Sequence, residues 1–257
     1  MIAFNYIHYS SVRTIMNIGM VIILSLLFNM VCKDNRVYDT ITNRNISNAE
    51  IANNIELPDG KIGSVYSHIT DHQLSTFNAG NQLNLGIKDF SWNIWMYHRQ
   101  HNFYDSFLIS VNLDDGSFFV MPVNASGGLI HGRTAIWIKN IEYSNSNITA
   151  KYQNWSNVLL CRKNGIFYYF IDGKLVLTIT NQTLYNLNLA GKEISFFCAY
   201  RNYVNGYDTS RSITGYCWKN YVIDKCLHTT PFNPYNNLHE EIDCYTIIED
   251  DKELYGN

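Results

Sequence analysis

VLLCRKNGIFYYFIDGKLVLTIT, the stretch from Val158 to Thr180, decides the fold of this chain. Ile166 to Ile171 carries only β-branched and aromatic side chains, which suit a pleated, packed surface. Asp172-Gly173 follows at once, and a two-residue Asp-Gly link between such runs is the strongest short-range hairpin signal. On the other side, Lys163-Asn164-Gly165 supplies a turn in which Gly165 is free to take a positive φ. Leu175, Leu177 and Ile179 then alternate with Val176 and Thr178. The stretch therefore predicts a three-strand antiparallel meander.

Working outward, the same grammar repeats. Phe90, Trp92, Ile94 and Met96 alternate with Ser91, Asn93, Trp95 and Tyr97, predicting a strand over 90–97 with two distinct faces. Phe107–Val111, Phe118–Val123, Ala135–Ile141, Ile148–Tyr152, Ile194–Tyr200 and Ser212–Asp224 read as further short strands, with Gly and Asn at the joints. No segment shows convincing helical periodicity, so the fold class is all-β, a sandwich or barrel. Composition agrees. Charged residues are only 16% of the 257, and Asn fills about one position in eight. The net charge of −3 gives no basic footprint, which excludes a nucleic-acid partner.

The two ends read differently. Ile18 to Phe28 is an apolar run behind Arg13, the length of a secretory signal core and short of a membrane span. Residues 1–31 are therefore expected to be a signal sequence or membrane anchor. Cys32, followed by Lys33-Asp34-Asn35, is similar to the lipidated cysteine of a bacterial lipoprotein, although Val31 stands where such sites place a small residue. Residues 32–66 are polar and aperiodic and predict a tether, with at most a first edge strand near 61–69. The acidic tail 236–257 holds at most one more strand. Of the six cysteines, none has zinc-ligand spacing; Cys217 with Cys226, Cys226 with Cys244, or buried free thiols are the open readings.

Three segments together carry a resemblance. Asn84-Leu-Gly-Ile-Lys-Asp-Phe-Ser-Trp-Asn-Ile-Trp95, the Val158–Val176 hairpin, and Ile213-Thr-Gly-Tyr216 through Ile223 to Phe232-Asn-Pro234 occur in the order and at intervals similar to those of concanavalin A-like, laminin G-like jelly-roll domains. The resemblance covers roughly 67–235. It implies an antiparallel β-sandwich of jelly-roll, concanavalin A-like type, and a recognition module for glycan or a surface protein.

Glycanases on this scaffold need two carboxylates facing one bond, hence acidic residues at i and i+2 or i+4 of a strand. Between Ser67 and Tyr235 the only glutamates are Glu142 and Glu193, far apart in sequence, so the chain leans away from being an enzyme. A Tyr/His/Arg lyase set would draw on Tyr97, His98 and Arg99. Sugar binding needs aromatic platforms flanked by planar polar groups, and the candidates are Trp95, Tyr97, His98, Arg99, Trp137, Trp155, Tyr200, Arg201 and Tyr203. Asn112, Asp114 and Asp115 offer hard oxygen ligands for Ca2+ on a short loop, though Asp and Gly are also what a plain turn wants. With the lipid or anchor at the amino end, the expected localisation is secreted or cell-surface, with a glycan or surface protein as partner.

Overall fold

The meander folds as its turns require, with Asn164, Gly165, Asp172 and Gly173 all at positive φ in two-residue links. The computed structural model describes residues 12–17, 20–68, 74–100, 105–113, 116, 118–121, 123–124, 134–139, 141–145, 148–201, 206–208 and 214–235. In chain order the strands begin with β1 (Val12–Asn17), β2 (Met20–Lys33), β3 (Arg36–Asp39), β4 (Arg44–Asn45), β5 (Glu50–Glu56), β6 (Ile62–His68), β7 (Ser75–Asn78) and β8 (Asn84–Gly86). Next come β9 (Phe90–Gln100), β10 (Asp105–Ser106), β11 (Ile109–Val111), β12 (Phe118–Met121), β13 (Val123–Asn124), β14 (Thr134–Ile138) and β15 (Ile141–Asn145). The series closes with β16 (Trp155–Lys163), β17 (Ile166–Ile171), β18 (Lys174–Ile179), β19 (Leu187–Asn188), β20 (Glu193–Phe196), β21 (Ala199–Arg201), β22 (Gly206–Asp208) and β23 (Thr214–Ile223).

Two sheets face each other. The large one runs β18-β17-β16-β9-β23-β2-β3-β4, with β6 also on β23, β5 on β6 and β1 on β2. The small one runs β15-β14-β12-β11-β20-β7. Strand pairing in both is antiparallel, and the fold is an antiparallel, jelly-roll-like β-sandwich. Between the sheets lies one core, to which the large sheet gives Trp92, Ile94, Met96, Val158 and Leu160, and the small sheet Ile109, Val111, Phe118, Ile136 and Ile194. Alternation thus sends Asn93, Trp95 and Tyr97 of β9 to the outer face.

The amino-terminal part departs from the sequence reading. Strands β3 to β6 occupy most of the stretch expected to be a tether, and the sandwich reaches back well before residue 67. Val37, Ile46, Val65 and Tyr66 are buried there. The polar residues that suggested a flexible chain are largely its turns: Asp34, Asn35, Asn43, Asn48 and Asn54 all sit at positive φ, which Asn and Asp tolerate best after Gly. The apolar run at 18–28 continues into β2, whose Leu26–Met30 pairs with Asn220–Ile223 of β23. Phe28 is 1% exposed and its ring packs on Phe77 at 5.1 Å, Phe196 at 6.0 Å and Trp92 at 6.4 Å. Cleavage between Val31 and Cys32 would take Phe28 and Met30 out of the core. Cys32 itself is half-buried against that core, and burial pushes its thiol up to about 12.

A Cys217–Cys226 bridge is ruled out by the faces. Cys217 points into the inter-sheet core, whereas Cys226 packs on the outer side of the large sheet. Cys244 lies outside the described residues, as does the 236–257 tail.

Candidate functional site

Register across β16, β9 and β23 lays out the outer face in rows. Trp155 sits beside Tyr97 and Tyr97 beside Tyr216; in the next row Asn157 sits beside Trp95 and Trp95 beside Trp218. A third row holds Leu159, Asn93 and Tyr221, and a fourth Cys161, Ser91 and Ile223. Tyr221 joins the face three residues after Trp218 because a bulge intervenes, with Lys219 at φ 47°. The rings touch: Tyr97 with Trp155 at 5.7 Å and with Tyr216 at 5.6 Å, Trp95 with Trp218 at 6.4 Å and with Tyr235 at 5.2 Å. Gly215 lets β23 approach β9 here, since a Cβ at that position would strike the Tyr97 carbonyl.

Two covers flank this face. Ala52, Ile55 and Leu57 of the β5–β6 hairpin pack on the Trp155 end, and the Glu56 carbonyl accepts the Trp155 indole N–H at 2.9 Å. Over the third and fourth rows lies the segment Cys226 to Tyr235, called the strap below. Its Leu227 and Phe232 pack on Leu159, Cys161 and Phe170, and the Phe232 N–H donates to the Gly173 carbonyl at 3.0 Å. A shallow cleft opens beside the strap, lined by Asn93, Trp95, Asn157, Lys219, Tyr221 and His228 among others, with a cavity volume of about 20 Å³.

The polar floor of the cleft has a fixed polarity. The Lys219 backbone carbonyl can only accept, and it takes the Asn93 Nδ2–H at 3.1 Å. Asn93 therefore turns Oδ1 to Asn157, whose Nδ2–H donates at 2.8 Å. That leaves Asn157 Oδ1 buried with no partner among the described residues, in a residue 1% exposed. Asn157 is held from behind by the Asp172 turn. Its N–H donates to Asp172 Oδ1 at 2.9 Å, and its carbonyl accepts the Asp172 N–H at 2.8 Å. Burial raises the Asp172 carboxyl above its ordinary value, against the opposing hydrogen bond from Asn157. On the strap, His228 stacks on Phe232 at 3.9 Å, and burial pulls its imidazole down. Lys219 Nζ lies 4.8 Å over the Trp218 ring.

Among the residues expected from sequence, the structure brings Trp95, Tyr97 and Trp155 together. Trp95 is 2% and Trp155 8% exposed, so they support the face while Tyr97, Tyr216 and Trp218 present it. His98 is fully buried, edge-on to Tyr152 at 5.6 Å, and on the other side of its strand from Tyr97. It is a packed residue. Arg99 is exposed at the strand end. Trp137 belongs to the other sheet, packed on Phe107 at 5.5 Å and on Ala135, away from the cleft. Tyr200 and Arg201 lie in β21, paired with β22, and Tyr203 falls outside the described residues. Asn112 is exposed at the end of β11; Asp114 and Asp115 fall outside the described residues. Sequence reasoning missed Asn93, Asn157, Trp218, Lys219 and His228. Asn93 carried a signal, being a polar member of the alternating aromatic strand 90–97.

No protein-family model and no curated protein matches the sequence. Solved structures do. The chain is similar to domain 4 of AbnA, a GH43 extracellular arabinanase from Geobacillus stearothermophilus solved with arabinotriose (TM-score 0.53, 15% identity, 80% of this chain and 95% of that one). It is also similar to the binding domain of Paraclostridial Mosquitocidal Protein 1 (TM-score 0.55, 12% identity, 79% and 49%). A third is the binding domain of botulinum neurotoxin DC in complex with rat synaptotagmin II (TM-score 0.53, 16% identity, 79% and 49%). The chain thus spans about half the length of the toxin domains. At these identities the likeness establishes the fold: the architecture is a jelly-roll-like β-sandwich.

Proposed function

We propose that this protein is a recognition module of concanavalin A-like, laminin G-like type that binds carbohydrate on the outer face of its large sheet. The observation that carries the reading is Asn157 Oδ1, a buried acceptor left unpaired in an aromatic cleft. A sugar supplies both things such a site lacks, a hydroxyl donor for the amide and an apolar C–H face for Tyr97, Tyr216 and Trp218. The arabinanase domain, solved with arabinotriose, supports the ligand class and names the first compounds to try. Surface display belongs to the same reading, by a route that keeps Phe28 and Met30 in the fold.

The test is a glycan array on the purified chain, including arabino-oligosaccharides, followed by calorimetric titration of each hit. Trp218→Ala and Asn157→Leu are expected to weaken binding at least about tenfold, a loss of about 1.4 kcal/mol. Trp137→Ala, on the far sheet, is expected to leave it unchanged. An array without hits, alongside capture of a defined surface protein, would replace the glycan by a protein partner. Hits that survive both the Asn157 and the Trp218 substitution would move the site elsewhere.

A further inference from the structure

We propose that Cys161 and Cys226 form a redox-linkable thiol pair, and that their disulfide staples the strap to the large sheet. The strap lies over the part of the outer face that carries Cys161. Ser91 is the register partner of Cys161 on the adjacent strand, and its Oγ lies 3.2 Å from Cys161 Sγ. The same hydroxyl donates to the Lys225 carbonyl at 2.6 Å and accepts the Leu227 N–H at 2.8 Å. Both neighbours of Cys226 are thereby bracketed by one side chain that already touches Cys161. Cys226 packs into the cluster of Leu159, Cys161 and Phe170.

The chemistry of the two thiols is complementary. Burial alone would push the Cys161 thiol up, but hydrogen bonding, that from Cys226 first, holds it below its ordinary value. The hydrogen bond to Cys161, then burial, pushes the Cys226 thiol up. One sulfur is thus the better thiolate and the other keeps its proton, the division that favours exchange within a pair. The reaction consumes a small-molecule disulfide, RSSR. One protein thiolate displaces RS− and forms a mixed disulfide. The second protein sulfur then displaces the other RS−, its proton passing to the leaving thiolate. The chain loses two electrons and two protons, and RSSR becomes two RSH. Because Leu227, His228, Phe232 and Pro234 line the cleft, the link also fixes one cleft wall; that consequence rests on the glycan reading, whereas the link does not.

Oxidised glutathione tests it on the full chain. After incubation, free thiols are alkylated in denaturant and the chain is digested without reduction for peptide mass mapping. The expected result is a cross-linked peptide joining Cys161 to Cys226, two alkylation sites lost, reversal by dithiothreitol, and a melting temperature about 5–15 °C above that of the reduced chain. Cys226→Ser is expected to melt alike in both buffers. Both cysteines still alkylated after oxidation, either one linked elsewhere, or a glutathione adduct that stops at Cys226 would each overturn the proposal. A linked chain that binds no glycan sinks the proposed function and leaves the staple standing. An unlinked chain that binds glycan does the reverse.

Discussion

Phe28→Ala tests whether the apolar run at the amino end belongs to the folded protein. Phe28 is 1% exposed, and its ring bridges the sheets through Phe77, Phe196 and Trp92. Truncating a buried Phe costs about 3–5 kcal/mol, the transfer of the ring plus the cavity it leaves. For a sandwich of this size each kcal/mol lowers the melting temperature by about 2–4 °C, so the expected fall is about 6–20 °C. Differential scanning calorimetry on the purified chain reads it directly. Phe28→Leu provides a milder step in the same direction, in case the alanine chain fails to accumulate. Ile62→Ala, at a side chain 65% exposed, is the control and is expected to change stability by less than about 0.5 kcal/mol. If Phe28→Ala melts with the parent, or a chain beginning at Cys32 does, residues 26–31 are not part of the core and the signal-sequence reading gains support.

Gly173→Ala tests the docking of the strap. The position has φ 71°, and a Cβ there would collide with the Phe232 carbonyl, so a loss of about 1–3 kcal/mol and faster hydrogen exchange at Phe232 are expected. Asp172 makes stability pH-dependent with a definite sign. Burial raises its folded-state pKa, so the folded chain holds that proton more readily than the unfolded one. Its stabilising contribution is fully present below the ordinary carboxylate value and is lost as pH rises through the raised one. Urea melts across the acid range should show that decline, and Asp172→Asn, a neutral acceptor, should flatten it. Arg162→Met is expected to loosen the loops at Gly86 and Gln182, whose carbonyls its guanidinium holds at 2.9 and 2.7 Å; protease nicking near those residues would report it.

The sheet was legible wherever two conditions coincided, a period of two and a turn with strong chemistry. The 158–180 meander and the 90–97 strand satisfied both, and their registers follow from them. The amino-terminal strands failed the second condition. Their turns use Asn43, Asn48 and Asn54, and in a chain so rich in Asn those residues look like composition, not punctuation. β2 failed the first, because residues 18–28 are a continuous apolar run, which hydropathy alone cannot tell from a signal core.

For the site, alternation correctly put Trp95 and Tyr97 on one face, and pairing with β16 added Trp155. It could not show that Trp95 is buried by Tyr235, which comes from the strap. Nor could it find Trp218 and Tyr221 on the same side, since the bulge at Lys219 shifts the alternation by one. His98 read as a candidate alongside Tyr97 and Arg99, but an odd offset along the strand turns it to the opposite face from Tyr97, where it is buried. Asp172 was read as a turn residue, and it is one; its carboxylate also holds the backbone of Asn157.

The strap ends at Tyr235, whose ring leans on Trp95 at the lip of the cleft. A label within a few residues of Tyr235 stays near the cleft's entrance, because a chain spans at most about 3.6 Å per residue. A fluorophore on residue 240 would stay within about 18 Å of Tyr235, close enough for indole and dye to exchange energy or quench. Position 240 is thus a ready optical port onto the cleft, able to signal an occupant without labelling the ligand.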